Sequence, residues 1–270
     1  MLSTRIFTAV IGMPLVFLCI YFGGISFYVM MFFVSIFSVY EYLLIVKKYK
    51  PHSIASLIMA TVFFLFLRFY EICCGCRCCM DRSSILAILA LFIFFVIEIF
   101  KGKTDLSVER IAVSFLGVFF IPLALVHMVY IRNLNGGMQL IFLIFIEVWV
   151  LDTVAYVFGY MFGKHKLAKN VSPKKTTEGA VAGVIFGVLA AAVCRYLFIS
   201  DILTLCEVVV LGFVISVVSQ FSDLAESLIK RDGSVKDSGK IIPGHGGVFD
   251  RFDSYIFTAP VVYYVLMFIK

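Results

Sequence analysis

Long apolar runs, separated by short polar stretches, make up most of this sequence. A helix that crosses a bilayer needs about 20 consecutive, predominantly apolar residues. Runs of roughly that length recur along the chain, and the pattern predicts nine membrane-spanning helices. They are predicted at residues 6–22, 25–46, 54–70, 84–100, 111–131, 138–158, 179–199, 202–221 and 254–269.

The composition excludes an ordinary soluble domain. Of the 270 residues, 62% are hydrophobic and 15% are charged, whereas soluble proteins carry about 25% charged residues. A soluble fold of this size would expose large apolar patches, which promote aggregation. We therefore predict an all-α fold, a polytopic membrane helical bundle of about nine transmembrane helices.

The distribution of Lys and Arg predicts how this bundle is oriented. Nine spans place the two termini on opposite sides, and basic residues accumulate on the cytoplasmic side of membrane proteins. With the N-terminus inside, seventeen Lys and Arg face the cytoplasm and six face outward, but without the two polar stretches described next the counts are seven and six. The orientation therefore depends on the same stretches that carry the candidate chemistry.

The first polar stretch covers residues 219–254 and mixes both signs of charge with five glycines. Carboxylates can hold a hard cation and basic groups can hold a phosphate, so the mixture suits a metal-phosphate complex. Glycines let backbone N–H groups approach phosphate oxygens closely. Asp223, Glu226, Ser227 and Lys230 share one helical face. A solvated helix end with a Glu226–Lys230 pair is the alternative for that helix alone, and the glycine-rich segment after it favours a functional site.

The second polar stretch covers residues 149–179. Asp152 lies within an apolar run, where an ionisable group costs about 2.5 to 3.5 kcal/mol on insertion scales; it faces either a polar cavity or a helix-packing partner. The segment SPKKTTEG follows, in which Thr176 or Thr177 is expected to cap the next helix. A helix N-terminus beside two lysines suits an anion, and a basic anchor at lipid headgroups is the alternative. Since two spans separate the two stretches, both are expected at the same membrane face.

These stretches carry a family resemblance. The segment SLIKRDGSVKDSGKIIPGHGGVFDRFD, at Ser227–Asp253, resembles without a gap the signature of phosphatidate cytidylyltransferases, the CDP-diacylglycerol synthases. W..DT.AY..G...GK and SPKKT.EG resemble the same family, so the similarity covers residues 149–254, and the first half matches only in hydropathy. The resemblance implies a magnesium-dependent membrane enzyme that joins CTP to phosphatidate and releases pyrophosphate. It also implies a homodimer among membrane lipids, with no nucleic-acid partner.

Site residues follow from the resemblance and from the chemistry. Asp223 and Asp250 are the leading ligands for Mg²⁺, alone or with a second cation. His245 is either a phosphate donor or a structural residue. The predicted catalytic set is Asp223, Asp250, Lys230, Arg231, Lys236, Asp237, His245, Arg251 and Asp253. The predicted substrate-binding set is Asp152, Ser172, Lys174, Lys175, Thr176, Glu178, Gly244, Gly246 and Gly247.

The organisation of the chain and the rival functions complete these expectations. We expect residues 1–105 to form an N-terminal transmembrane scaffold and residues 106–270 a catalytic transmembrane region with motifs at 149–179 and 219–254. Because CTP is cytosolic, we expect the protein in the inner (cytoplasmic) membrane with its N-terminus inside and its active-site loops facing the cytoplasm.

Two alternative functions stay open. The protein could be a CTP-using polyprenol or phytol kinase, or a transporter with Asp152 as its coupling residue. For the Cys73–Cys79 cluster, a zinc site, disulfides and an incidental apolar loop stay open.

Overall fold

The structure is a computed structural model that describes the backbone of residues 2–74, 79–102 and 104–269. It describes the side chains of these residues except residues 2–7, 9 and 68–83. The cysteine side chains of the Cys73–Cys79 cluster therefore lie outside the described residues, and the expectations about them concern a part of the chain on which the structure gives no information.

The described part of the chain folds into nine α-helices, and the predicted all-α membrane bundle is confirmed. Seven of these helices are long and apolar enough to cross a membrane, while the described parts of α1 and α3 contribute the shorter apolar segments Val10–Phe22 and Ser53–Leu67. The helices are α1 (Leu2–Phe22), α2 (Gly24–Ile45), α3 (Ser53–Cys74), α4 (Cys79–Lys101), α5 (Ser107–Arg132), α6 (Gly137–Phe162), α7 (Thr177–Cys194), α8 (Leu205–Asp232) and α9 (Phe249–Ile269).

Helices α8 and α9 differ from the prediction at the ends that meet the polar stretch. Helix α8 continues to Asp232, eleven residues beyond the predicted end at 221. Helix α9 begins at Phe249 and not at residue 254. Asp250 and Asp253, which the predicted span left in the preceding loop, therefore lie on a helix. An apolar run ends where the bilayer ends. The helix itself can continue further, because its backbone hydrogen bonds form equally well between polar residues. Lys230 and Arg231 stabilise the extra turns of α8 because they lie at its negative C-terminal end.

A small β-hairpin connects α6 to α7, and the apolar pattern did not predict it. Strand β1 (Lys166–Ala168) pairs antiparallel with β2 (Ser172–Thr176), and Lys166 lies opposite Thr176. The hairpin leads directly into α7, where Thr176 accepts a hydrogen bond from the backbone N–H of Gly179. The predicted N-cap is therefore confirmed at Thr176.

Close packing of α6, α7 and α8 depends on small residues. A side chain at Gly187 would collide with Ser216, and one at Gly212 would approach Ala191, so these glycines allow the helix backbones to come close together. One continuous apolar core extends from Ile20 of α1 to Leu266 of α9 and includes residues on both sides of residue 105. The division of the chain into a scaffold and a catalytic region concerns function and stays a prediction.

Candidate active site

The two polar stretches meet through an ion pair. The ammonium of Lys175, on strand β2, forms a short contact with Oδ2 of Asp223, on α8. The hydroxyl of Ser227, one turn further along α8, donates to Oδ1 of Asp223 at 3.3 Å. The expectation that the two stretches lie together at one face of the bundle is confirmed by this pair.

Two further carboxylates interact electrostatically with Asp223. Asp152 on α6 interacts electrostatically with Asp223, Lys175 and Arg251. Asp253 in the first turns of α9 interacts with both Asp223 and Asp152. Carboxylates that interact in this way repel one another unless a cation or a basic group neutralises them. The cluster of Asp152, Asp223 and Asp253 is therefore chemically suited to a cation or to the positive groups around a bound phosphate.

A second ion-pair group lies beside this cluster and is more buried. The ammonium of Lys230 lies 2.5 Å from Oε2 of Glu226 and 2.8 Å from Oδ1 of Asp250. The side-chain exposures are 12% for Lys230, 2% for Glu226 and 9% for Asp250. Lys230, a predicted catalytic residue, is thus held between two acids, where it joins α8 to the start of α9.

Asp250 also organises the glycine-rich loop. Its Oδ2 accepts hydrogen bonds from the backbone N–H groups of Ser238, at 3.0 Å, and of Gly247, at 3.1 Å. The loop reverses direction at Gly244 and Gly246, whose φ values of +79° and +87° favour glycine. Both carboxylate oxygens of Asp250 therefore accept hydrogen bonds, and the N–H of Gly247 binds this carboxylate.

The hairpin residues divide between the site and its support. Oε1 of Glu178 lies 2.6 Å from Nδ1 of His165, and the backbone N–H of His165 donates to the same carboxylate at 3.2 Å. Thr176 is buried, and side chains added at Gly159 of α6 or at Gly163, directly after α6, would collide with it. Glu178 and Thr176, both predicted to bind substrate, thus fix the hairpin to α6 and α7.

The remaining predicted residues lie around the rim of the site. Arg231 donates to the carbonyls of Val171, at 3.1 Å, and Val235, at 3.2 Å, and so ties the hairpin to the loop after α8. Ser172 is half-buried in β2, and Arg251 is exposed. Nδ1 of His245 is buried and has no hydrogen-bond partner among the described residues. Three exposed residues form no ion pair within the described part of the chain, namely Lys174, Lys236 and Asp237.

The sequence did not single out Ser222 on α8, because a serine in an apolar run carries little signal. Its hydroxyl donates to the carbonyl of Asp253 and accepts from the backbone N–H of Phe257 at 3.1 Å. The hydroxyl thus inserts where an α-helix normally joins residues i and i+4 directly. It fixes the turn of α9 that carries Asp253 against α8.

Glu41 on α2 was also missed, although a signal for it existed. It is an acid in an apolar span, the same signal that drew attention to Asp152. Its carboxylate accepts hydrogen bonds from Ser238 and Phe249, at the two ends of the glycine-rich loop.

The carboxylates provide hard oxygen donors but no complete metal site by themselves. In the ranges that the structure describes, no group of three or more His, Cys, Asp or Glu side chains is placed to hold a metal ion. This arrangement fits Mg²⁺, which usually takes one or two carboxylates and completes its six ligands with water and substrate phosphates. Asp223 interacts with both of the other carboxylates and stays the leading predicted donor for it.

The chain is similar to known proteins of one family. A model of the cytidylyltransferase family matches residues 3–269. A phosphatidate cytidylyltransferase of Bacillus subtilis is 30% identical over 98% of this chain and 97% of its own length. One of Synechocystis is 43% identical over 50% of this chain and 46% of its own length. One of Staphylococcus saprophyticus is 36% identical over 62% of this chain and 63% of its own length, so less than two thirds of that relative is aligned. The chain therefore belongs to the cytidylyltransferase family.

Proposed function

We propose that this protein transfers the cytidylyl group of CTP to phosphatidate, giving CDP-diacylglycerol and pyrophosphate. The observation that carries the proposal is the Lys175–Asp223 pair, which joins the two motifs into one charged site at the ends of apolar helices. The names of the relatives from Bacillus subtilis and Synechocystis support the same activity.

The reaction needs little covalent chemistry from the protein. A phosphate oxygen of phosphatidate attacks the α-phosphorus of CTP, a new P–O bond forms, and the bond to the β-phosphate oxygen breaks to release pyrophosphate. The attacking oxygen is already anionic near neutral pH, so a general base is unnecessary. Catalysis then consists of positioning and of neutralising phosphate charge.

The cations around the site have two different roles in this proposal. Lys174, Lys236 and Arg251 are exposed at the rim, where they can reach substrate phosphates. Arg251 is suited to a bidentate grip on a phosphate. Lys230 is already held between two carboxylates, so its role is to keep the walls of the site together and to balance their charge.

We infer that the reaction depends on Mg²⁺, with Asp223 as the first ligand. Asp250 is the second predicted ligand, and Asp253 is an alternative because it lies in the same acidic cluster as Asp223. When bound, the metal would neutralise the triphosphate and stabilise the leaving pyrophosphate.

The lipid substrate needs a path from the bilayer to the charged site. An apolar cavity of about 410 Å³ lies between α5, α8 and α9 and includes Ser222 and Glu226 in its lining. Leu116, Leu228 and Phe257, which also line it, are exposed at the surface of the helices. The acyl chains of phosphatidate could therefore remain in an apolar environment while the headgroup reaches Asp223.

The orientation and the assembly also belong to this proposal. We propose that the site faces the cytoplasm, with the N-terminus inside the inner membrane, and that the protein is a homodimer. The Lys and Arg distribution supports the first statement, and the family resemblance suggests the second. Labelling of an introduced cysteine near Lys174 in intact and permeabilised cells, and cross-linking in membranes, would test them.

Pyrophosphate release by the purified protein tests the activity. Release should require CTP, Mg²⁺ and phosphatidate together, and omission of each in turn should abolish it. Formation of CDP with a polyprenol or phytol would instead identify a kinase. Folded protein that is inactive under both conditions would contradict the proposed activity and favour a transporter.

A further inference from the structure

A buried acid from the N-terminal half of the chain contacts the glycine-rich loop. Glu41 lies near the end of α2 and is fully buried. Its Oε2 accepts hydrogen bonds from the hydroxyl of Ser238, at 2.9 Å, and from the backbone N–H of Phe249, at 2.8 Å. Within the part of the chain that the structure describes, no Lys or Arg forms an ion pair with it. The partners of this carboxylate are therefore neutral groups at the two ends of the loop.

The start of α9 explains why a carboxylate is stable at this position. Phe249 is the first residue of α9. The first N–H groups of a helix have no acceptor within the helix, and this end carries partial positive charge. A side chain just before a helix usually supplies the acceptor. Here Glu41 supplies that acceptor from a different helix.

The loop backbone packs directly against this carboxylate. A Cβ atom added at Gly239 or at Gly247 would collide with Glu41. Gly239 has no positive φ, so the need for a small residue there comes from close approach and not from backbone conformation. Two of the glycines that suggested a phosphate loop thus make room for Glu41.

Ser238 links Glu41 to the candidate site. Its hydroxyl donates to Glu41 and accepts from the backbone N–H of Asp250 at 3.3 Å. Its own N–H donates to Oδ2 of Asp250 at 3.0 Å. A shift of Ser238 would therefore move Asp250, which in turn contacts Lys230.

We propose that Glu41 is a positioning residue, which holds the loop 238–249 and Asp250 in the geometry that the reaction requires. The catalytic consequence rests on the proposed function, while the structural consequence can be measured without substrate. Glu41 does not contact the acidic cluster of Asp152, Asp223 and Asp253 in the structure, so its effect passes through Ser238 and the start of α9.

Hydrogen exchange and turnover of purified protein in detergent test this role together. Glu41→Ala should speed amide exchange in residues 238–249 by about tenfold or more, because two donors lose their acceptor. Turnover of CTP and phosphatidate should also fall by about tenfold or more, because the loosened loop no longer holds Asp250 in position. Glu41→Gln keeps an acceptor oxygen of the same reach and should retain slow exchange and most of the turnover. Ser238→Ala removes the link from the loop side and should reproduce the local exchange of Glu41→Ala.

A matched control separates positioning from general loss of packing. Glu147 on α6 is also fully buried, but it accepts from Ser216 at 2.8 Å and does not touch the loop. Glu147→Ala should leave exchange in residues 238–249 unchanged. Wild-type exchange in both Glu41→Ala and Ser238→Ala would overturn the proposal, as would an equal increase throughout α2, α5 and α9. If the wild-type protein releases no pyrophosphate, the proposed function fails, and the exchange data still decide the role of Glu41.

Discussion

Replacement of Lys230 by methionine should destabilise the protein far more than replacement of Lys48, an exposed lysine that pairs with Asp232 at the end of the same helix. Lys230 balances Glu226 and Asp250, and all three side chains are at most 12% exposed. Removing one partner of a buried ion pair leaves an uncompensated charge and costs about 3 to 5 kcal/mol. We therefore expect Lys230→Met to lower the free energy of unfolding by about that amount.

The control for this prediction is the ion pair between Lys48 and Asp232. Its N–O distance is 2.9 Å, close to the 2.8 Å between Lys230 and Asp250, but its side chains are 47% and 48% exposed. Water screens the charges of an exposed pair and leaves them little stabilising effect, so Lys48→Met should change the free energy of unfolding much less than Lys230→Met.

Thermal and denaturant unfolding of the detergent-purified variants, followed by circular dichroism, measures both changes. The double variant Lys230→Met with Glu226→Gln should recover part of the lost stability, because it removes one of the two unbalanced carboxylates. Equal losses for Lys230→Met and Lys48→Met would refute the reasoning from burial.

Three further predictions concern other parts of the structure. Asp223→Asn should reduce pyrophosphate release by about 100-fold or more while the helical content stays unchanged, and Asp232→Asn, outside the acidic cluster, should release pyrophosphate at nearly the wild-type rate; full activity of Asp223→Asn would remove the metal assignment. Ser222→Ala should lower the unfolding free energy by about 1 to 2 kcal/mol, because the carbonyl of Asp253 loses its donor, and an unchanged unfolding midpoint would contradict the inserted hydroxyl. Burial lowers the pKa of His52 below its usual value, so the unfolded chain binds the proton more readily and stability should fall as the pH decreases below about 6.5; His52→Asn should flatten this part of the stability profile, and a profile with the same slope in both proteins would exclude His52 as its source.

The hydrophobic pattern predicted the membrane bundle well because bilayer thickness fixes the length of each span. It placed the start of α9 at residue 254, five residues beyond the observed start at Phe249. Polar residues such as Asp250 and Arg251 do not look like part of a span. The helix nevertheless starts there, because Glu41 accepts a hydrogen bond from the N–H of Phe249 and Asp250 accepts one from the N–H of Gly247. The hairpin at Lys166–Thr176 was missed because its strands are short and mostly exposed.

The sequence identified the types of residues in the site better than their partners. The sequence placed Asp223 and Lys230 in one charged segment whose function stays a prediction, and Lys175 from the other segment does reach Asp223 in the structure. Local sequence could not reveal that Glu41 contacts Ser238, since 197 residues separate them along the chain. Contacts of this kind depend on how the helices pack, and spacing within one segment carries no information about them.

The reciprocal hydrogen bonds between Ser238 and Asp250 also constrain the length of the chain between them. Each residue donates its backbone N–H to the side chain of the other across twelve positions, and the turn between Ile242 and Gly246 closes the intervening segment. An inserted or deleted residue would shift one end relative to the other and break both bonds. Proteins that share this site should therefore tolerate substitutions in this segment more readily than changes in its length, which makes the spacing itself a diagnostic feature.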